Sequence, residues 1–262
     1  MRRIHLFEFT DLTWYPTTFR RIQTDYLQFA ATRGAGHHNL VPLFRKALQH
    51  AGTSEILDLC SGGMGPWPRL RQQLKQAGLE LNVTLSDKFP TSQVFQARST
   101  STHDGISYLA ESVDALDVPV HLKGMRTMFE GFHHFEPENA RLVLQDVQQK
   151  RVAIGIFEAS LKPPLAPFIF LLSPLMTLLG YLFATPFIRP FSWSRLLWTY
   201  LVPIVPLATC WDGFVSFLRT YSQKELRELV QPLQQGDYHW EIGEASTDTP
   251  LFVFTYLLGY PL

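Results

Sequence analysis

His133 and His134 stand side by side in the run Phe132-His133-His134-Phe135. An imidazole titrates near neutral pH, so either ring can take a proton from a reacting group. The bland alternative is a pair that caps a helix or sits half-buried in a loop. A paired-histidine metal site would need carboxylates at ligand spacing. None lies at an obvious one, so no metal is expected. A second pair, His37-His38, follows the turn Arg33-Gly34-Ala35-Gly36 and reads as an exposed loop, with the lining of a lid as the other option.

Three further places suit ligand binding. Ser61-Gly62-Gly63-Met64-Gly65 closes an apolar run, and its glycines let backbone approach a ligand closely. Asp87 ends a second apolar run, where a carboxylate can accept both hydroxyls of a sugar. Asp114 follows a third, where it can accept from an amino group.

These residues need a scaffold, and the hydrophobic pattern supplies one. Glu55–Cys60, Leu81–Leu85, Ile106–Leu109, Lys123–Phe129 and Val152–Phe157 read as strands. Helices are expected after Pro16, over 42–50, 67–77 and 137–149, and from Ser222 to Leu233, with Ser222 and Glu225 forming a capping box. Within the first helix, Phe19, Ile22, Tyr26, Leu27 and Phe29 should face inward. His239–Ala245 and Leu251–Leu258 should close as a hairpin. Strand–helix alternation implies an α/β fold, a Rossmann-like doubly wound sheet, mostly parallel, with a C-terminal antiparallel hairpin. Ligands of such sheets sit beyond the carboxyl ends of the strands.

Ile56-Leu57-Asp58-Leu59-Cys60-Ser61-Gly62-Gly63-Met64-Gly65-Pro66 resembles the first motif of the class I S-adenosylmethionine-dependent methyltransferases. Asp87 matches that family's ribose-binding acid, and Ser112-Val113-Asp114-Ala115 resembles its adenine-side motif. The closing hairpin matches its last two strands. The resemblance spans most of 40–160 and 212–262. It implies S-adenosylmethionine as cofactor, held by Asp58, Cys60, Ser61, Gly62, Gly63, Asp87, Asp114 and Ala115. It also places His133 and His134 where the methyl should point, as candidate catalytic bases.

On the substrate side the resemblance implies Glu158, with an arginine ion pair as its other reading. It implies an N-terminal lid over 1–50 containing Glu8, Trp14 and Tyr26, core packing being the default for the two aromatics. Trp211-Asp212-Gly213 is similar to a segment of bacterial methyltransferase-like proteins of unassigned substrate. Asp212 is read either as a substrate contact or as a structural partner of Arg219. The family's usual motif runs acid-x-Gly-x-Gly-x-Gly, and Cys60 and Met64 replace two of its glycines. That departure favours one rival, a non-catalytic membrane-associated module with a degenerate fold. A second rival, a nicotinamide oxidoreductase, is opposed by Pro66 and Pro68, which remove backbone donors from the turn.

The 262 residues fit one domain with an elaborated insertion, catalytic over 51–159 and 212–262 and apolar over 160–211. Lys and Arg (23) balance Asp and Glu (23), which gives no basic footprint for nucleic acid. Two cysteines and no Cys-x-x-Cys pair fit a reducing, cytoplasmic setting, and no signal peptide is read after Met1-Arg2-Arg3. No charge appears from Pro163 to Ile188 or from Leu196 to Trp211. Pro163, Pro164, Pro167, Pro174, Pro186, Pro190, Pro203 and Pro206 suggest broken helices there. Three readings stay open: a hairpin over 165–209 dipping into the cytoplasmic leaflet with Arg189, Trp193 and Arg195 near headgroups, a soluble cap over the substrate, or a spanning pair. The acceptor is expected to be a small or lipophilic molecule.

Overall fold

A computed structural model describes residues 3–33, 36–90, 105–162, 166–234 and 236–262. Met1, Arg2, Gly34, Ala35, Pro163 and Pro164, named above, lie outside them. Seven strands form one sheet: β1 (Glu55–Asp58), β2 (Asn82–Asp87), β3 (Ile106–Ser112), β4 (Met125–Phe129), β5 (Ile154–Leu161), β6 (Tyr238–Ser246) and β7 (Phe252–Pro261). Their order is β3-β2-β1-β4-β5-β7-β6. The first five are parallel, β7 runs antiparallel to β5, and β6 pairs antiparallel with β7. The expected fold class is the one that forms.

Short apolar strands buried on both sides need helices on both faces. One face is covered by α4 (Pro137–Gln149) and α8 (Gln223–Val230), which bury Val143, Leu144, Leu226 and Leu229 against Leu57, Met128 and Ile156. The other is covered by α2 (Val41–Ala51) and α3 (Trp67–Gln76), which bury Phe44, Trp67 and Leu70 against Ile56, Val83 and Phe157. Pro137 stands in the first turn of α4 and Ser222 caps α8 with the expected box. Because α2 belongs to this sandwich, the 1–50 boundary is drawn too far along; the lid ends near His37. In α1 (Thr17–Arg33), Ile22 is buried as expected, but Leu27 is 53% exposed.

The strand order reverses between β1 and β4. β5 runs past the expected Phe157 to Leu161 because β7 pairs with it along its whole length. Glu158 therefore lies inside a strand rather than at its end.

The insertion folds as α5 (Ala166–Ala184), the short α6 (Trp193–Leu196) continued by a π-helical turn to Leu201, and α7 (Ile204–Arg219). Breakage was expected throughout, yet α5 runs unbroken through Pro174. The proline withdraws a donor from the Phe170 carbonyl, and the neighbouring Ser173 hydroxyl donates to that same oxygen at 2.8 Å. The second arm does break, bending by 77° between Leu201 and Ile204. α7 carries the chain through Trp211 and Asp212 without interruption, so the 211/212 boundary falls inside a helix. Ile22, Tyr181 and Val205 join α1, α5 and α7 in a small core.

Candidate active site

The turn after β1 is built from left-handed residues: Cys60 at φ 57°, Gly62 at 54° and Gly65 at 50°. Cys60 stands where the family pattern has glycine and adopts the backbone a glycine would. Its side chain fits because Gly131 lies opposite; a Cβ there would come within 2.9 Å of the Cys60 Cβ. The motif is altered in residue type and retained in shape. Asp58 is buried and accepts from the Ser61 and Thr127 hydroxyls, each at 2.6 Å. Burial pushes its carboxyl up to about 6. It braces the turn from behind and does not line the cavity.

Asp87 faces the same turn and accepts from Gly62 N and Phe89 N, both at 2.8 Å. Asp114 accepts from Lys88 Nζ at 2.7 Å and Leu116 N at 3.0 Å. Gln28 reaches over from α1, accepting from Met64 N at 2.5 Å and donating to Gly65 O at 3.1 Å. A helix of the N-terminal lid thus closes directly onto the glycine turn.

A cavity of about 1180 Å³ runs along the carboxyl edge of the sheet. Cys60, Ser61, Gly62, Gly63, Asp87, Asp114 and Ala115 line it beside β1 and β2; Phe129, Glu130 and His134 line it beside β4. Typical small-molecule sites hold about 300–1,000 Å³, so the space suits a cofactor with a second molecule. The roof is a strap, residues 5–13, followed by the inner face of α1. No described residue of 166–211 lines the cavity, so the insertion is not the cap that one reading made it.

Apart from one 3₁₀ turn at Phe9–Asp11, the strap is irregular backbone held by side chains. Arg3 donates to the carbonyls of Arg219, His133 and Phe135. Asp212 accepts from Phe9 N at 2.8 Å, Thr10 N at 3.3 Å and Gln23 at 3.1 Å. Trp211 Nε1 donates to Phe7 O at 2.9 Å. Arg219, 2% exposed, bonds Asp11 at 2.6 Å and pairs with Glu8 at 3.1 Å. The expected Asp212–Arg219 pair does not form, because each holds a different stretch of the strap.

This brings Asp11 to His134. The His134 Nδ1 lies 2.7 Å from Asp11 Oδ1, which fixes the proton on Nδ1 and leaves Nε2 as the basic nitrogen. Burial alone would raise the Asp11 carboxyl, but its bonds to His134 and Arg219 hold it at about 2. Desolvation and the Glu158 charge push Glu130, open to the cavity yet enclosed by protein, up to about 8. Burial pushes His37 down to about 4; it lines the cavity against Phe254, where an exposed loop was expected.

His133 turns the other way. It is 4% exposed, and its Nδ1 lies 2.6 Å from Glu158 Oε2. The other Glu158 oxygen accepts from Phe132 N and His133 N. Glu158 therefore braces the loop and faces no substrate space; its partner is a histidine, not an arginine. Trp14 is 68% exposed, Tyr26 packs on Tyr181 at 4.3 Å, and Trp211 and Asp212 hold the strap, so none of these four lines the cavity.

Carboxylates do reach the histidines in space. Glu8, His133 and His134, and likewise Glu130, His133 and Glu158, bring ligand atoms within 4.8 Å. The expectation drawn from sequence spacing missed this. Arg219 beside Glu8, and the bonds Glu158 already makes, disfavour a cation in either group. The residues sequence reasoning missed are Asp11, Gln28 and Glu130. Only Glu130, directly after a strand, carried a positional signal.

No protein-family model matches the chain, nor does any curated protein. Solved structures do overlap with it. The trans-methyltransferase CalH complexed with SAH shares 15% identity over 86% of this chain and 56% of that one, with TM-score 0.48. The mitomycin 7-O-methyltransferase MmcR shares 12% over 86% and 53%, at 0.45. A SAM dependent methyltransferase from Aquifex aeolicus shares 12% over 82% and 88%, at 0.43. The chain spans about half the length of CalH and MmcR. The strand order, with its antiparallel seventh strand, is the deciding observation. The sheet is the Rossmann-like arrangement that the resemblance to the class I methyltransferases implies.

Proposed function

We propose that the chain binds S-adenosylmethionine and transfers its methyl group to a small, largely apolar acceptor bearing a hydroxyl or amine. One observation carries this reading. A single cavity holds both the glycine turn with Asp87 and an Asp11-oriented His134.

The residues suit the cofactor. A Cβ built at Gly62 meets nothing within 4 Å, so the turn opens onto free space. Asp87 uses one lone pair on each oxygen for backbone amides and keeps others for ribose hydroxyls. Asp114 and Ala115 flank the adenine side. When bound, the cofactor would supply an electrophilic sulfonium methyl. His134 Nε2 takes the proton from the acceptor as its oxygen or nitrogen attacks. Asp11 holds the ring in the tautomer that allows this and stabilises the cation that forms. Glu130, whose carboxyl is pushed up by desolvation and the Glu158 charge, can donate to an acceptor oxygen when protonated. Phe129, Phe135, Phe252 and Phe254 give the walls their apolar character and exclude water.

Calorimetric titration with S-adenosylmethionine and S-adenosylhomocysteine, against NADH as control, tests the cofactor. Binding of the first two and not of NADH is expected. No binding by well-folded protein would leave the non-catalytic module as the better account.

A further inference from the structure

Helix α5 breaks the rule for a surface helix. With its 3₁₀ extension it runs 22 residues, Ala166–Phe187, yet only 17% of its most apolar stretch is buried. Leu171, Leu175 and Phe183 project from it at helical spacing, 73%, 53% and 74% exposed. Phe187, Trp193 and Leu201 carry the surface around the hairpin's far end at 67%, 77% and 76%. A core helix would bury these positions, and a solvated one would place charges there.

The charges sit elsewhere. Arg195, expected near headgroups, is buried: it pairs with Asp25 at 2.6 Å and donates to the carbonyls of Ile188 and Pro190. Lys162 precedes α5 and Arg189 follows it, with no ionisable side chain between Ala166 and Ile188 except tyrosine. A protein interface of this breadth has a polar rim threaded through it. This face has cations at its two ends, amphipathic Trp193 and Tyr200 at its margin, and hydrocarbon between. An apolar groove of about 380 Å³, lined by Trp14, Phe19, Ile204 and Leu207 among others, adjoins the far end.

We infer that the outer face of the α5–α7 hairpin binds the interfacial layer of a lipid bilayer, with its apolar side chains among the acyl chains and Lys162 and Arg189 at headgroup level. The placement is peripheral. α7 buries half of its 16 residues, Asp212 and Arg219 among them, within the fold, and so offers no second lipid-facing span of its own. The inference stands apart from the methyl-transfer reading, and its test uses no cofactor.

The purified full chain is floated through a density gradient with phosphatidylcholine vesicles, with and without phosphatidylglycerol. Wild type should rise with both, because burial of hydrocarbon drives the binding, and the tryptophan emission should shift to the blue. A Leu171→Glu, Phe183→Glu, Leu201→Glu variant should lose most of the floating fraction with its circular dichroism unchanged, since all three positions face outward. Wild type that stays at the bottom overturns the inference. So does a dimer in light scattering that these substitutions convert to monomer, which would assign the face to a second copy. Resistance of the vesicle-bound chain to alkaline carbonate would also overturn it, in favour of a spanning hairpin.

Discussion

His134 Nδ1 and Asp11 Oδ1 are 2.7 Å apart although the residues stand 123 positions apart in sequence. The histidine comes from the loop after β4 and the carboxylate from the strap. The dyad exists only while the strap is seated, and Arg219 seats it by binding the second Asp11 oxygen.

If His134 is the base, His134→Ala should lower kcat by about 10²–10⁴-fold and leave cofactor affinity intact. Asp11→Asn keeps the shape and removes the orienting charge; kcat should fall by about tenfold or more. His133→Gln, which touches no cavity surface, should act through stability instead. Single-turnover rates beside calorimetric Kd values separate these outcomes, and an active His134→Ala enzyme would remove the base assignment.

Asp87→Ala deletes a charged acceptor facing the glycine turn. The loss should be about 1.5–3 kcal/mol of cofactor binding, between roughly ten- and a hundredfold in Kd. Unchanged affinity would place the ribose elsewhere. Gln28→Ala should weaken the same Kd more mildly, because it loosens the lid from the turn without touching Asp87.

Glu8 makes a pH prediction. Burial raises its carboxyl from an ordinary 4.5 to about 7 in the folded chain. Its contribution to stability is therefore fully present below about 4.5 and lost as pH rises through 7. Glu130, raised to about 8, acts in the same direction. Asp11, held at about 2, acts oppositely, and its contribution is lost as pH falls from 3.8 through 2. The melting temperature should drop between pH 5 and 8, and Glu8→Gln should flatten that slope. Parallel curves for the two proteins would contradict the assignment.

Cys60 and Gly131 form a testable packing pair. Gly131→Ala puts a Cβ 2.9 Å from that of Cys60 and should cost about 1–3 kcal/mol. In a Cys60→Gly background most of that cost should vanish. Denaturant titrations of the four proteins measure the coupling; additive costs would mean that the two side chains do not share the space.

What was legible in the sequence was local. Ile56-Leu57 followed by clustered glycines marks a strand and a ligand turn within a dozen residues, and Pro137 and Ser222 mark helix starts by their own backbone chemistry. Asp87 declared itself by ending a strand and Asp114 by following one. The strap had no such signature. Residues 5–13 follow neither helical nor strand periodicity, and their conformation is dictated by neighbouring Arg3 and by Asp212 and Arg219 from the far end of the chain. Asp11 could not be matched to His134, nor Glu8 to Arg219, without the fold. Asp212 and Arg219 were noticed as polar residues on an apolar background, but their partners were misjudged for the same reason. Trp14 and Tyr26 were placed in the pocket by likeness alone, whereas Trp14 stands exposed ahead of α1 and Tyr26 faces Tyr181 of α5.

Helix α7 begins among the exposed apolar side chains of the hairpin tip and ends at Arg219, beside the Asp11–His134 pair. Sixteen helical residues make a rod of about 24 Å. A rod that stiff does not absorb tilt along its length; it delivers it to the other end. A surface that tilted the outer tip would therefore shift Arg219, and with it the Asp11 carboxylate that Arg219 binds.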